Sequence, residues 1–172
     1  MLKFLYEFSM AAGYLGAGKE GSTYLSDEGH FRIDYMDEII DRQKYLPNPS
    51  NPTQLLPNPN YNKVLGTPAR ISTDKGVMEV SKKYFMQIPV TQRVPILVHE
   101  GGHFYLNENP DDEEEADYNA AKISLGAGFS DGDVYAAFVN IFKNAPTQQN
   151  IDRQKELLQF ITDFGAKNYK NL

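Results

Sequence analysis

The sequence predicts a single α+β domain of 172 residues that is mostly helical, with a small β-hairpin ahead of the helix that carries the chemistry. Apolar residues recur at helical spacing near the N-terminus and through most of the C-terminal half. β-Branched residues flank one turn in the middle of the chain. A chain of this length can bury one substantial core, so we expect residues 1–172 to form one domain.

The first predicted element is an N-terminal helix. Leu5, Phe8 and Ala12 fall on one helical face. Glu7 interrupts the apolar stretch and only Lys3 precedes it as a positive charge, which makes a poor secretion signal. We therefore expect a helix packed on the domain.

A second helix is predicted from Ile33 to Leu46, followed by a long Asn- and Pro-rich loop over residues 47–62. The loop is predicted because prolines remove backbone donors and bias the preceding residues toward extended backbone. These prolines are Pro47, Pro49, Pro52, Pro57 and Pro59. Two roles stay open for the loop, a connector between two halves of the domain or a flap near a site.

One short pattern, Ile-Asp-Arg-Gln-Lys-x-Leu, occurs twice, at Ile40–Leu46 and at Ile151–Leu157. No wider periodicity surrounds the two copies, whereas a true repeat would persist over tens of residues. We interpret the match as a coincidence between two amphipathic helices.

A β-hairpin is predicted in the middle of the chain. Its strands are Ala69–Thr73 and Gly76–Val80, joined by the turn residues Asp74, Lys75 and Gly76. The sequence predicts no other β-structure.

Four helices are predicted after the hairpin. Thr91 is expected to cap the first, which holds Pro95 in its first turn and ends near Leu106. Asn109 and Pro110 are expected to open the second, where acidic residues favour the start of a helix. The predicted bounds of the remaining elements are Pro110–Leu125, a helix capped by Ser130 that ends near Lys143, and a last helix opened by Thr147 or Asn150 that ends at Gly165.

Composition and charge exclude several classes of partner and site. With 17 basic and 23 acidic residues the net charge is −6, which disfavours binding to nucleic acid. The absence of cysteine excludes disulfides, thiolate metal sites and a cysteine nucleophile, and suits a reducing compartment. No apolar run reaches the length of a membrane span. We expect a cytoplasmic protein without membrane or nucleic-acid partners, and any metal site in it must use His, Asp or Glu.

The segment His99-Glu100-Gly101-Gly102-His103 carries the strongest chemical signal, because it holds two of the three histidines. Residues four apart project from one helical face, so both imidazoles can bind one metal while Glu100 reaches a metal-bound water. Imidazole nitrogen is a common zinc ligand, so we expect Zn²⁺. Gly101 and Gly102 each cost about 1 kcal/mol in a helix interior. They predict close approach of another element, the alternative being a frayed helix end.

A catalytic zinc site needs three protein ligands and one open position, so a third ligand must lie elsewhere. His30 is one candidate. Glu113 is a better one, because it shares a helical face with Asp117: Glu113 can bind the metal while Asp117 holds a ligating imidazole. The reverse assignment, with Asp117 as the ligand, is the alternative.

Together, His99–His103 and the run Glu113-Glu114-Glu115-Ala116-Asp117 resemble the HExxH and ExxAD motifs of the gluzincin zinc metallopeptidases. The second motif, with Glu115-Ala116-Asp117, is most similar to that of the small ImmA/IrrE type and of the membrane-free core of prenyl-protease-type enzymes. The resemblance covers about residues 69–125 and implies a zincin-like domain with an active-site helix pair and an edge strand, Gly76–Val80, lining the cleft. The interval between the two motifs is shorter than the family leads us to expect.

The resemblance implies a zinc-dependent peptidase acting on a peptide or protein substrate. In this reading zinc polarises the scissile carbonyl, and Glu100 activates the zinc-bound water, later returning the proton to the leaving amine. No histidine follows Glu113 to stabilise an oxyanion; Tyr118 and Tyr135 are possible, and neither is chosen. The alternative function is a non-catalytic zincin-fold protein with a structural or regulatory partner-binding role.

Overall fold

The structure is a computed structural model that describes residues 2–14, 23–26, 29, 31–72, 75–143 and 146–168. The helices of the described residues are α1 Leu2–Tyr14, α2 Lys82–Phe85, α3 Val90–Tyr105, α4 Glu113–Gly126, α5 Asp131–Phe142 and α6 Gln148–Asn168. The strands are β1 Thr23–Leu25, β2 Arg32–Met36, β3 Tyr45–Asn48, β4 Asn51–Pro57, β5 Ala69–Ser72 and β6 Val77–Ser81. The predicted α+β class with a helical majority is confirmed.

The larger sheet has four strands in the order β1-β2-β6-β5. Its centre is the parallel pair of β2 and β6, and an antiparallel strand lies on each side. The helix α3 contacts the edge strand β5 and packs against α1, α4 and α5. It therefore lies at the middle of the domain.

The predicted N-terminal helix is confirmed as α1. Phe8, Ala11 and Ala12 are buried in the core, and the ring of Phe8 packs against that of Phe31 with centroids 4.9 Å apart. Burial of this apolar face is what stabilises a helix of this length.

The helix predicted from Ile33 to Leu46 is wrong. Residues 32–36 form β2 instead, with Ile33 and Tyr35 buried and their neighbours less so. This alternation has a period of two, the signature of a strand with one buried face. The parallel pairing of β2 with β6 shields the strand, so a long-range contact overrides the weaker helical pattern.

The long loop predicted over residues 47–62 is also wrong, because β3 and β4 form a second, two-stranded sheet. Each strand of such a pair has one edge without ladder partners, where a proline costs little. The turn is closed locally, since Asn48 Oδ1 accepts a bond of 2.9 Å from the N–H of Ser50. Every residue of β4 is exposed.

The hairpin predicted for residues 69–80 is confirmed as the antiparallel pair of β5 and β6; Thr73, from the predicted first strand, and Asp74, from the predicted turn, lie outside the described residues. The edge-strand assignment within it is wrong. The strand β6 lies between β2 and β5, so the strand that offers a free edge is β5. Only the parallel pairing of β2 distinguishes the two strands, and the sequence pattern does not predict that pairing.

The predicted starts of two helices need correction. α3 begins at Val90 after Pro89, without a side-chain cap from Thr91, so Pro95 lies beyond its first turn. α4 begins at Glu113, because Asp112 is its cap and accepts a bond of 2.9 Å from the N–H of Glu115.

The two C-terminal helices agree with the prediction. Ser130 caps α5, with its hydroxyl accepting a bond of 3.1 Å from the N–H of Asp133. Thr147 precedes α6 and accepts from the N–H of Asn150 at 3.2 Å, and the helix continues past Gly165 to Asn168. None of the described helices is long and apolar enough to span a membrane.

Candidate metal centre

His99 and His103 lie one turn apart in the buried C-terminal part of α3. Their rings meet edge to face with centroids 4.9 Å apart, and their Nε2 atoms are 3.3 Å apart. The four-residue spacing therefore brings the two ring nitrogens to one point, because residues four apart lie on the same face of a helix.

The other nitrogen of each ring has a partner that orients it. Nδ1 of His103 donates to the carbonyl of Pro110 at 2.8 Å. Nδ1 of His99 faces Oδ1 of Asp117 at 3.0 Å, and neither buried atom has another hydrogen-bond partner among the described residues. A group that engages Nδ1 in this way leaves Nε2 as the available lone pair, which is how proteins orient metal-binding imidazoles.

Glu113 brings a carboxylate to the same point from the first residue of α4. Its two oxygens lie 3.5 Å from Nε2 of His99 and 3.7 Å from Nε2 of His103. One ligand atom from each of the three residues lies within 4.8 Å of the others, and this is the one such group found among the described residues. Asp117 lies on the far side of His99, so the geometry favours Glu113 over Asp117 as the third ligand. His30 lies outside the described residues.

Hydrogen bonds of Asn107 connect α3 to α4 in the segment between the two motifs. Asn107 follows α3, where its N–H donates to the carbonyl of Gly102 at 2.9 Å. Its side-chain amide donates to the carbonyl of Asp112 at 2.8 Å, and its side-chain oxygen accepts from Asn119 at 3.2 Å. Asn107 thus links the end of α3 to the start of α4 by hydrogen bonds. Glu113, the first residue of α4, lies beside the histidines.

The centre is a concentration of negative charge around buried imidazoles. Burial alone would lower the pKa of His99, but hydrogen bonding to Asp117 and Glu113 outweighs burial and raises it. Hydrogen bonding to His99 in turn lowers the pKa of Glu113. These carboxylates favour a positive charge at His99, and a divalent cation among the three ligand atoms would supply it.

The donor set therefore fits a divalent metal ion. Two imidazole nitrogens and one carboxylate are a ligand set that zinc accepts in hydrolytic sites. The orientation of each ring through its Nδ1 is the arrangement expected of metal ligands rather than of histidines packed in a core.

Glu100 lies on α3 between the two histidines and is buried. Burial raises the pKa of Glu100, while electrostatic interactions with His99 and His103 act in the opposite direction. Backbone hydrogen bonding with Ile71 in β5 also acts to lower this pKa. Glu100 therefore lies next to both the metal ligands and β5.

The two glycines after Glu100 have different surroundings. A methyl group on Gly101 would meet the ring of Phe8 at 2.7 Å, whereas one on Gly102 would meet no atom closer than 3.5 Å. The expectation that another element approaches the metal helix closely is confirmed at Gly101, where α1 packs. The same expectation is not needed for Gly102, whose contacts are ordinary.

A cleft opens beside these residues along β5 and the start of α4. Its lining consists of Thr67, Ala69, Arg70, Ile71, His99, Glu100, His103, Pro110, Asp111, Glu113 and Ile141. No tyrosine from the described part of the chain lines the cleft. Tyr118 instead packs edge to face on Phe160, and the hydroxyl of Tyr135 accepts a bond from Gln154 at 3.1 Å.

Sequence reasoning missed Arg153, which is buried in α6 and reaches both acidic residues of the centre. One signal could have found it, because Arg153 lies four residues before Leu157 and eight before Ile161, on the buried face of this amphipathic helix. The contacts made by the carbonyl of Pro110 and by the backbone of β5 could not be predicted, because every residue carries the same main-chain groups.

Comparison with known proteins adds no identification: no family model, curated protein or solved structure matches the chain.

Proposed function

We propose that this protein is a zinc-dependent peptidase of the gluzincin kind. The observation that carries the proposal is the convergence of Nε2 of His99, Nε2 of His103 and the Glu113 carboxylate beside a buried Glu100. The residues that would hold the metal are these three. When bound, zinc supplies Lewis acidity, which polarises a carbonyl oxygen and acidifies water.

Glu100 is the residue best placed to move a proton. It is part of the cleft lining, and its burial raises its pKa, which brings a carboxylate closer to the range in which it can both accept and return a proton. Glu100 would take a proton from the attacking water and return it to the amine that leaves.

The strand β5 supports a peptide as the substrate. It is an edge of the four-stranded sheet, and Ala69, Arg70 and Ile71 line the cleft beside Glu100. An extended peptide can add to such an edge through main-chain hydrogen bonds, which tolerate many side chains. This placement would bring a scissile bond across the metal ligands.

Two measurements on one set of variants test the proposal. Zinc per chain is measured by plasma mass spectrometry on protein purified without chelators, and cleavage of a peptide library is followed by mass spectrometry. His103→Ala removes a ligand, Glu100→Gln removes the proton acceptor, and Glu114→Gln is a matched control on an exposed neighbour of Glu113.

We expect about one zinc per chain in the wild type, in Glu100→Gln and in Glu114→Gln, and loss of zinc in His103→Ala. Cleavage should fall by about 100-fold or more in Glu100→Gln and stay unchanged in Glu114→Gln. A wild type that takes up no zinc would refute the metal site. Zinc binding without cleavage of any peptide would favour the non-catalytic, partner-binding function.

A further inference from the structure

Arg153 joins the last helix of the domain to the candidate metal centre. Its Nε donates to Oδ2 of Asp117 at 2.8 Å, and its Nη2 lies 2.8 Å from the same oxygen. Nη2 also donates to Oε2 of Glu113 at 3.0 Å. One guanidinium therefore binds both carboxylates of the centre.

The two carboxylates contact opposite sides of the same imidazole. Glu113 faces Nε2 of His99 and Asp117 faces Nδ1. Because Arg153 binds both of them, it sets the distance and direction of the carboxylates relative to His99. The planar fork of a guanidinium is suited to this, since it offers several donors in fixed geometry.

The contact matters most for Glu113. Its side chain is 48% exposed, whereas the side chains of Asp117 and Arg153 are 4% and 7% exposed. A half-exposed glutamate at the start of a helix has many rotamers that point to water, and the ordering of such a side chain costs free energy when a metal binds. The bond from Arg153 restricts Glu113 to the direction of the histidines before the metal arrives.

Arg153 is itself held in place. Its Nη1 donates to the side-chain oxygen of Asn150 at 3.2 Å, and its guanidinium carbon lies 4.8 Å from the centre of the Phe142 ring. Helices α5 and α6 thus fix the cation, and the cation lessens the repulsion between two carboxylates one turn apart on α4.

We propose that Arg153 is a positioning residue, which holds Glu113 and Asp117 so that α6 completes the metal centre. This inference rests on the proposed metal site. It does not require the protein to be catalytically active.

The test measures zinc affinity by competition with a chromophoric chelator for the full-length chain. Arg153→Lys keeps the charge and loses the fork, and Arg153→Gln keeps an amide donor and loses the charge. Lys155→Gln is the matched control, because Lys155 lies two residues on in the same helix, is 70% exposed and forms an exposed ion pair with Asp152. Unfolding of each metal-free variant is measured in parallel.

We expect zinc affinity to fall by about 10-fold or more in both Arg153 variants, the range seen when a group that orients a ligand is lost, and to be unchanged in Lys155→Gln. The second Arg153 variant decides the result if the first does not fold. Unchanged or tighter zinc binding by a folded Arg153 variant would overturn the positioning role, since tighter binding would mean that Arg153 competes with the metal for Glu113. A wild type without zinc affinity would overturn the proposed metal site together with this inference, a separate outcome.

Discussion

Two identical segments of this chain, Ile40–Lys44 and Ile151–Lys155, have the sequence Ile-Asp-Arg-Gln-Lys and fold differently. The first contains an isolated β-bridge, from Ile40 to Val64. It is followed directly by the exposed hairpin of β3 and β4. The second lies within α6. The arginine of the first copy, Arg42, is exposed, whereas Arg153 is buried against two carboxylates.

The difference shows which level of structure gives these residues their role. Five residues of the same sequence have the same intrinsic propensities, so propensity cannot choose between the two conformations. Long-range contacts make the choice. Asn58 donates to Asp41 and to the carbonyl of Gln43 in the first copy, and the carboxylates of α4 bind Arg153 in the second.

The largest predicted effect is the difference in stability between substitutions of the two arginines. Arg153→Met should lower the free energy of unfolding by about 3 to 5 kcal/mol, because it leaves the buried carboxylate of Asp117 without its arginine partner. Arg42→Met should change it by about 0.5 kcal/mol or less, as for other surface substitutions. Equilibrium denaturation of metal-free protein measures both without a contribution from lost metal. Equal effects of the two changes would contradict the comparison.

The leucine that follows each segment gives the next effect. Leu157 is 1% exposed in the core, so Leu157→Ala should cost about 2 to 5 kcal/mol of unfolding free energy. Leu46 is only partly buried in β3, and Leu46→Ala should cost about 1 kcal/mol or less. Thermal and denaturant unfolding of both variants provide the check, and a larger loss at Leu46 would show that the hairpin packs more tightly than its exposure indicates.

Gly101 and Gly102 of α3 allow a similar comparison, because the same residue type has different neighbours at the two positions. Gly101→Ala should destabilise the protein by about 1 to 3 kcal/mol, because its methyl group meets the buried ring of Phe8. Gly102→Ala should be neutral or stabilising by up to about 1 kcal/mol, since alanine favours the helix and its methyl group fits. Denaturation curves of the two variants decide, and the opposite order would refute the packing of α1 on α3.

The smallest predicted effect is a pH dependence of stability at Asp41, next to the hairpin of β3 and β4. Hydrogen bonds from Asn58 and from the N–H of Gln43 lower the pKa of Asp41. Because the folded pKa is the lower one, this stabilisation is present above the unfolded value near pH 4 and is lost as the pH falls through the folded pKa. The side-chain amide signals of Asn58 in NMR spectra should follow this titration.

Two aspartate variants serve as controls for that titration. Asp41→Asn should abolish the pH dependence of the Asn58 signals. Asp152→Asn changes the equivalent aspartate of the other segment and should leave it intact. A titration that persists in Asp41→Asn would mean that another group causes it.

Local signals in the sequence predicted the helical half of the domain well and the β half poorly. Ser130 capped its helix as predicted, and the spacing of His99 and His103 placed two rings at one point. The helix predicted for residues 33–46 is wrong because the strand and the bridge in this segment depend on distant partners. These partners are β6 for the strand and Val64 for the bridge. Pairing between distant segments leaves only a weak local pattern.

Interactions between residues close in the chain are enough to predict the helices of the C-terminal half, the β5–β6 hairpin and the histidine pair on one face of α3. Tertiary packing accounts for the remaining features. It made β5 and not β6 the edge beside Glu100, and it brought Arg153 to Glu113 and Asp117 across about 40 residues of chain. Such contacts depend on how helices and strands pack against one another, and packing is a property of the whole fold rather than of any segment.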